Sequence, residues 1–279
     1  MDENIIIENI LKKVKEGKKY KDISDDIILK EIKIYLNKNP KILKQKKFKK
    51  KNIQEIRRVL HRISASYQTK NKSKQYLYLE LLKKNRNNKK IIKKILESQK
   101  STQERIKFYK DIYTKLFSIT GIPSSIIDLG CGMNPVSYPF MKLKKLIYYA
   151  YDIDESIVSF LNKFFEIERT EGLIGKSEIL DIRDLNKIKS LPNSDLIFLF
   201  KLIDLIDTKK RKISEPLIKI LINKSKFVIA SFATKTLTGK NMNLPKRRGF
   251  ELMLQRNHLN FNIIQFENEI FYIIFKSDK

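Results

Sequence analysis

Asp128, Gly130 and Gly132 stand in Ser125-Ile-Ile-Asp-Leu-Gly-Cys-Gly-Met-Asn-Pro135, where an apolar run ends in a Gly-x-Gly turn with an acid just before it. Glycines at such a turn permit positive φ and leave no Cβ to block a ligand from the backbone. Asp152 follows Gly132 by twenty positions, in Tyr148-Tyr-Ala-Tyr-Asp-Ile-Asp154. An acid at the end of the next strand is placed to accept hydrogen bonds from ribose hydroxyls, with Asp154 as its near alternative. The third glycine of a dinucleotide fingerprint is missing, because Asn134 and Pro135 come next. That weighs against a pyrophosphate cofactor and favours S-adenosylmethionine (SAM), whose sulfonium needs no such cradle.

The elements that must position these residues are legible in the apolar pattern. Short strands are expected at Ser125–Leu129, Leu146–Tyr151, Ser177–Asp181, Asp195–Phe200, Phe227–Phe232, Phe261–Phe266 and Ile270–Phe275, alternating with helix-compatible stretches. Glu267-Asn-Glu269 suits a hairpin between the last two. The fold class expected is therefore α/β: a Rossmann-like seven-stranded SAM-dependent methyltransferase domain over residues 98–279. On such a sheet ligands sit beyond the carboxyl ends of the strands, which gathers Gly130–Asn134, Asp152, Asp181 and Lys201 on one rim. Residues 1–97 read instead as an N-terminal helical domain. Ile53, Ile56, Leu60 and Ile63 recur at helical spacing, as do Leu77, Leu81 and Leu82, and Ser24-Asp-Asp-Ile offers an N-cap.

Charge narrows the substrate. With 59 Lys+Arg against 31 Asp+Glu, the formal charge is +28 on 279 residues, and a polyanion is the natural partner. The Lys44–Lys51 run, which holds Lys46, Lys47, Lys49 and Lys50, and the Lys246-Arg247-Arg248 run are the RNA-binding residues expected. One cysteine excludes an internal disulfide, and His61 and His258 lack partners at metal-ligand spacing, so no metal is expected. The acidic N-terminus reads against a signal peptide, and no apolar run approaches the roughly 20 residues that span a bilayer. A cytoplasmic monomer without membrane association is the expectation.

Five segments carry a more specific resemblance: Ser101-Thr-Gln-Glu-Arg105, Asp128-Leu-Gly-Cys-Gly-Met-Asn-Pro135, Tyr151-Asp-Ile-Asp154, Leu199-Phe-Lys-Leu202 and Ser231-Phe-Ala-Thr-Lys-Thr-Leu-Thr-Gly-Lys240. In order and spacing they resemble the aminoglycoside-resistance 16S ribosomal RNA methyltransferases that modify guanine N7 in the decoding site. The chain departs from that family at Gln99, where His is frequent, and at Ala233, where Pro is frequent. The resemblance implies that Arg105 holds the SAM carboxylate and that the partner is rRNA in the small ribosomal subunit. Asp181 is placed for the adenine amine, with a helix cap as the other reading. The Asp/Asn-Pro-Pro-Tyr/Phe motif of adenine amino-methylating enzymes is absent after the fourth strand, where Phe200-Lys-Leu stands. A ring nitrogen such as N7 carries its own in-plane lone pair, so no catalytic base is needed and alignment carries the rate. Lys201 and Lys235 are then target contacts rather than bases. Methylation of adenine N1 in the same region, and a non-catalytic RNA-binding protein that kept the fold, are the alternatives.

Overall fold

The computed structural model describes residues 3–17, 19–42, 49–61, 74–86, 88–207, 212–235, 240, 242 and 245–276. The chain packs as two units, residues 1–68 with 153–156, and residues 69–152 with 157–279.

The first unit contains α1 (Glu3–Lys15), α2 (Asp25–Lys38) and α3 (Lys50–Leu60). Each buries an apolar stripe at helical spacing: Ile6, Ile10 and Val14; Ile28, Ile32 and Leu36; Ile53, Ile56 and Leu60. Arg57 closes the carboxyl end of α1, donating through Nε to Val14 O at 3.3 Å and through Nη2 to Lys13 O. A cation there satisfies carbonyls that the helix itself leaves unpaired and complements its dipole. Ser24 does precede α2 but makes no side-chain cap; its N–H donates to Ile153 O at 3.2 Å, beside an antiparallel bridge between Ile23 and Asp154. Lys44, Lys46, Lys47 and Ile63 lie outside the described residues.

The second unit runs α4 (Gln75–Lys84), α5 (Lys89–Leu96), α6 (Lys100–Arg105), α7 (Tyr109–Thr120), β1 (Ser125–Leu129), α8 (Tyr138–Met141), β2 (Leu146–Asp152), α9 (Glu155–Glu168), β3 (Leu173–Ile179), α10 (Leu185–Lys189), β4 (Ser194–Phe200), α11 (Ile203–Ile206), α12 (Ser214–Leu221), β5 (Ser225–Ala233), α13 (Arg248–Arg256), β6 (Leu259–Gln265) and β7 (Glu269–Lys276). The first two residues of α9 belong to the first unit. The sheet order is β3-β2-β1-β4-β5-β7-β6. Neighbours pair in parallel from β3 to β5, and β7 runs antiparallel to both β5 and β6.

Alternation along the strands builds a core on each face. Ile126, Tyr148, Leu196 and Phe198 join Leu79 and Leu82 of α4, Ile92 and Ile95 of α5 and Phe160 and Phe164 of α9. Ile127, Leu129, Ile197 and Leu199 join Leu217, Leu254 and Tyr272 on the other face. So α4 and α5, which the sequence pattern groups with the basic helical region, cover one face of this sheet. The buried stripe of α4 is Gln75, Leu79 and Leu82, whereas Leu77 and Leu81 are exposed. Strand β3 begins four residues before the expected Ser177. Its first half, Leu173-Ile-Gly-Lys, breaks the apolar pattern because β3 is the outermost strand, and Ile174, Lys176 and Glu178 face solvent.

At the carboxyl end of α9, Glu168 is fully buried and neither carboxylate oxygen has a hydrogen-bond partner. Burial, then the nearby Glu171, raises its pKa to about 7 against the opposing charge of Arg86. A carboxyl that titrates higher in the folded chain costs stability as pH climbs from the unfolded value of 4.5 toward 7, and the full cost persists above that. Glu168→Gln is therefore expected to match wild-type stability near pH 4.5 and to exceed it by up to about 3 kcal/mol at pH 8, read from urea unfolding at both pH values. Equal stability of the two proteins at pH 8 would refute the buried, unpaired carboxylate.

Candidate cofactor and target site

The turn after β1 is built as its glycines require. Gly130 has φ +63, and a Cβ there would lie 2.6 Å from Leu202 Cδ1 on the loop after β4. Gly132 has φ +50, and a Cβ there would lie 2.1 Å from the Gln99 amide oxygen. The left-handed backbone favours glycine at both positions, and a side chain there would also displace Leu202 or Gln99. The turn is held from both sides: Cys131 N–H donates to Tyr151 O at 3.0 Å, Gly132 N–H to Asp152 Oδ2 at 2.9 Å and Met133 N–H to Gln99 Oε1 at 2.7 Å.

Asp128 lies beneath the turn and is buried. Its Oδ2 accepts from Tyr148 Oη at 2.6 Å and from Asn134 Nδ2 at 2.8 Å, and Asn134 Oδ1 in turn accepts from Tyr109 Oη at 3.2 Å. Its Oδ1 has no hydrogen-bond partner. Burial lifts the Asp128 pKa to about 6 against the bonds from Tyr148 and Asn134. A buried carboxylate oxygen left over calls for a donor, an ordered water or a ligand group. Burial likewise pushes the Cys131 thiol well above its ordinary pKa, which makes it a wall residue and not a nucleophile.

Asp152 ends β2 on the same rim, with its Oδ2 on the glycine turn. Asp154 serves α9 instead, where its Oδ1 accepts from Ser156 N–H at 2.9 Å and from the Ser156 hydroxyl in the first turn. Asp181 lies beyond the end of β3. Its carboxylate takes Arg183 in a fork, Nε to Oδ1 at 2.8 Å and Nη2 to Oδ2 at 2.9 Å, with the Arg183 N–H on Oδ1 at 3.0 Å.

Arg105, at the end of α6, is buried against Glu269, with Nε to Oε2 and Nη2 to Oε1 both at 2.8 Å. It also stacks 5.0 Å over the Phe200 ring. Burial disfavours both charges, yet the pair outweighs it: Glu269 lifts the Arg105 pKa further, and Arg105 followed by Lys201 holds the Glu269 pKa below the usual carboxylate range. Ser231 Oγ also donates to Glu269 Oε1. Lys201 follows β4 with φ +54, and Ser231 O and Oγ accept its N–H at 3.1 and 2.9 Å. Its Nζ lies 2.6 Å from Glu104 Oε2 and 3.5 Å from Glu269 Oε2. Glu269, in the expected hairpin, is thus a site residue that sequence reasoning missed. Lys235 is paired with Glu267. Arg247 donates to Asp204 Oδ2 at 3.0 Å and to Ala233 O at 3.2 Å while lying 5.2 Å over Phe232. Lys49, Lys50 and Arg248 are exposed.

Removing Glu269 would leave the buried Arg105 guanidinium without its carboxylate, while Lys201 keeps Glu104. Glu269→Ala is expected to lower stability by about 3–5 kcal/mol in denaturant unfolding, the scale for a broken buried ion pair. A loss below about 1 kcal/mol, as for a surface pair, would show that solvent reaches Arg105.

A curated 16S rRNA (guanine(1405)-N(7))-methyltransferase of Proteus mirabilis is 31% identical over 195 residues, 67% of this chain and 66% of that protein. One from Frankia casuarinae is 26% identical over 62% of this chain and 60% of its own length. The aligned parts therefore span about two thirds or less of these relatives. Among solved structures, the 16S rRNA methylase ArmA is 26% identical with TM-score 0.53, covering 71% of this chain and 97% of that one. RmtF, a 16S rRNA methyltransferase solved with S-adenosyl-L-homocysteine, matches in fold with TM-score 0.75 at 18% identity over 99% and 100% of the two chains. The family model described as ribosomal RNA methyltransferase (FmrO) matches residues 48–273, and this chain belongs to that family.

Proposed function

We propose that this protein methylates N7 of a decoding-site guanine in small-subunit rRNA, using SAM, with aminoglycoside resistance as the cellular outcome. The observation that carries the cofactor reading is the glycine turn bracketed by Asp128 and Asp152, with one buried Asp128 oxygen left without a partner. The substrate reading rests on family membership and on the relatives' specificity. Bound SAM would supply an electrophilic methyl group on a sulfonium.

The residues of this chain bind and orient. Asp152 takes the ribose hydroxyls, Asp128 the ammonium, Gly130 and Gly132 shape the turn beneath the ligand, and Asp181 lies toward the adenine. Arg105 supports the carboxylate end from its ion pair. Guanine N7 needs no proton removed, so the rate comes from holding it in line with the methyl group and excluding water. Lys201 lies on the same rim, its ammonium held between Glu104 and Glu269, and takes a target-positioning role there. Lys235 is the target donor.

Lys46, Lys47, Lys49 and Lys50, with Arg248, supply the phosphate grip of the first unit and of α13. Arg247, its guanidinium engaged by Asp204, contributes through the segment it holds. N7 lies in the deep, narrow groove of A-form RNA, so the guanine must leave the stack to be reached. The site of action is the cytoplasm, and the acting species a monomer; among the described residues no helix is long and apolar enough to cross a membrane.

Two measurements check this reading. Asp152→Ala is expected to weaken SAM binding by about 1–3 kcal/mol in calorimetry, and unchanged affinity in a folded variant would remove Asp152 as the ribose ligand. Labelled SAM incubated with purified small subunits should label one guanine, mapped by mass spectrometry or by primer extension after borohydride–aniline cleavage. Affinity for subunits should fall steeply with salt while SAM affinity holds. Label confined to protein or small molecules would reject the rRNA assignment.

A further inference from the structure

At the end of the sheet opposite the glycine turn, where β4 and β5 begin and β7 ends, the second unit has a cleft of about 760 Å³. Its charged lining is Lys224, Lys226, Lys276 and Asp195. The carboxylate is already engaged: Asp195 Oδ2 accepts from the N–H and hydroxyl of Ser124 at 2.8 and 2.6 Å and from the N–H of Ser125 at 3.1 Å. The lysines are not neutralised in the same way. Lys224 Nζ donates to Leu191 O at 2.5 Å and Lys276 Nζ to Asn223 Oδ1 at 2.6 Å, both neutral acceptors, while Lys226 is exposed. None of the three is paired with a carboxylate among the described residues, so the cleft carries positive charge to its opening. Phe227 and Phe275, both half-buried, line the wall as a ring pair with centroids 5.8 Å apart. Ser225 Oγ donates to Asp195 O at 2.8 Å and ties the start of β5 to β4, which fixes that wall. Aromatic surface edged by free ammonium groups is the chemistry that takes single-stranded RNA, with the rings stacking a base and the ammoniums meeting phosphate.

We propose that this cleft is a second rRNA contact, holding a single-stranded segment of the small subunit with a base on the Phe227–Phe275 wall and phosphates on Lys224, Lys226 and Lys276. The proposal rests on the rRNA reading of the catalytic unit. A contact at the end opposite the methyl-transfer rim fixes the orientation of that unit on the subunit, where contacts at the rim alone would leave it free to pivot.

Binding of the full-length protein to purified small subunits across a salt series tests it. Lys226→Gln combined with Lys276→Gln should weaken binding roughly tenfold and flatten the log–log salt slope by about 1.4, the value for two single-strand phosphate contacts. Phe275→Leu keeps apolar bulk without a ring, and should weaken binding about fivefold with the slope unchanged. Lys144→Gln combined with Lys145→Gln removes the same charge from exposed positions just before β2, at the same end of the sheet but outside the cleft, and should change affinity by less than about twofold. An iron–EDTA group tethered at Lys226→Cys should cut one rRNA strand in bound subunits, since the native Cys131 is buried from the reagent. Equal losses in the two lysine pairs, no loss in the cleft variants, or no rRNA cleavage from position 226 would each overturn the proposal, the last by pointing to a ribosomal protein or to an unused cleft. Failure of the wild type to bind small subunits would instead overturn the rRNA reading, and this proposal with it.

Discussion

The rim of the sheet depends on one buried carboxylate. Glu269 takes both arms of the Arg105 fork and the Ser231 hydroxyl, and stands 3.5 Å from the ammonium of Lys201. Each of these cations would be expensive in a dry interior by itself. Together with Glu104 the set is two positive and two negative charges, so charge balance is met within it. Such a cluster adds little net stability compared with an apolar core, but it tolerates few rearrangements, because any partner that moves leaves a charge unpaired. Its effect is geometric: α6, the end of β4, β5 and the start of β7 can close together in one arrangement.

The sheet register makes that possible. Glu269 pairs across from Ala233 and Phe271 from Ser231, which places the first residue of β7 at the carboxyl end of β5. Because β7 runs antiparallel to β5, its beginning reaches the rim where the parallel strands end. A side chain supplied by the last hairpin can thus act at the site formed by the first half of the domain. Lys201 accepts a left-handed backbone at the same rim, anchored by its N–H on Ser231, and so the turn after β4 is bound to the same cluster.

The parts of this architecture that were legible in sequence are those whose signal is local. Strands β1 and β2 announce themselves by dense apolar runs, the glycine turn by its own residues, and Asp152 by its place at a strand end. Edge strand β3 was displaced because one of its faces is wet and its sequence looks like a loop. Glu269 was invisible as a site residue: it sits in a turn-like Glu-Asn-Glu segment, and its partner Arg105 is 164 positions away. Arg247 was misleading for the same reason, since a run of three basic residues reads as surface while its central member is bound to Asp204 and stacked on Phe232. Spacing reports which face a residue takes within its element; it carries no information on what the rest of the chain brings to that face.

This distinction bears on the net charge of +28. Arg105 and Lys201 are buried against Glu269 and Glu104, so they contribute to structure and only weakly to the outside field. Lys49, Lys50 and Arg248 are exposed, and positive charge of that kind releases counterions when it meets phosphate. A lysine-rich composition by itself would not separate these two populations. The structure does so by giving its interior cations individually matched carboxylates or carbonyls while leaving those exposed cations to solvent. Affinity for a polyanion can then be strong and salt-dependent without disturbing the charge-balanced cluster at the rim, because the two sets of charges share few partners.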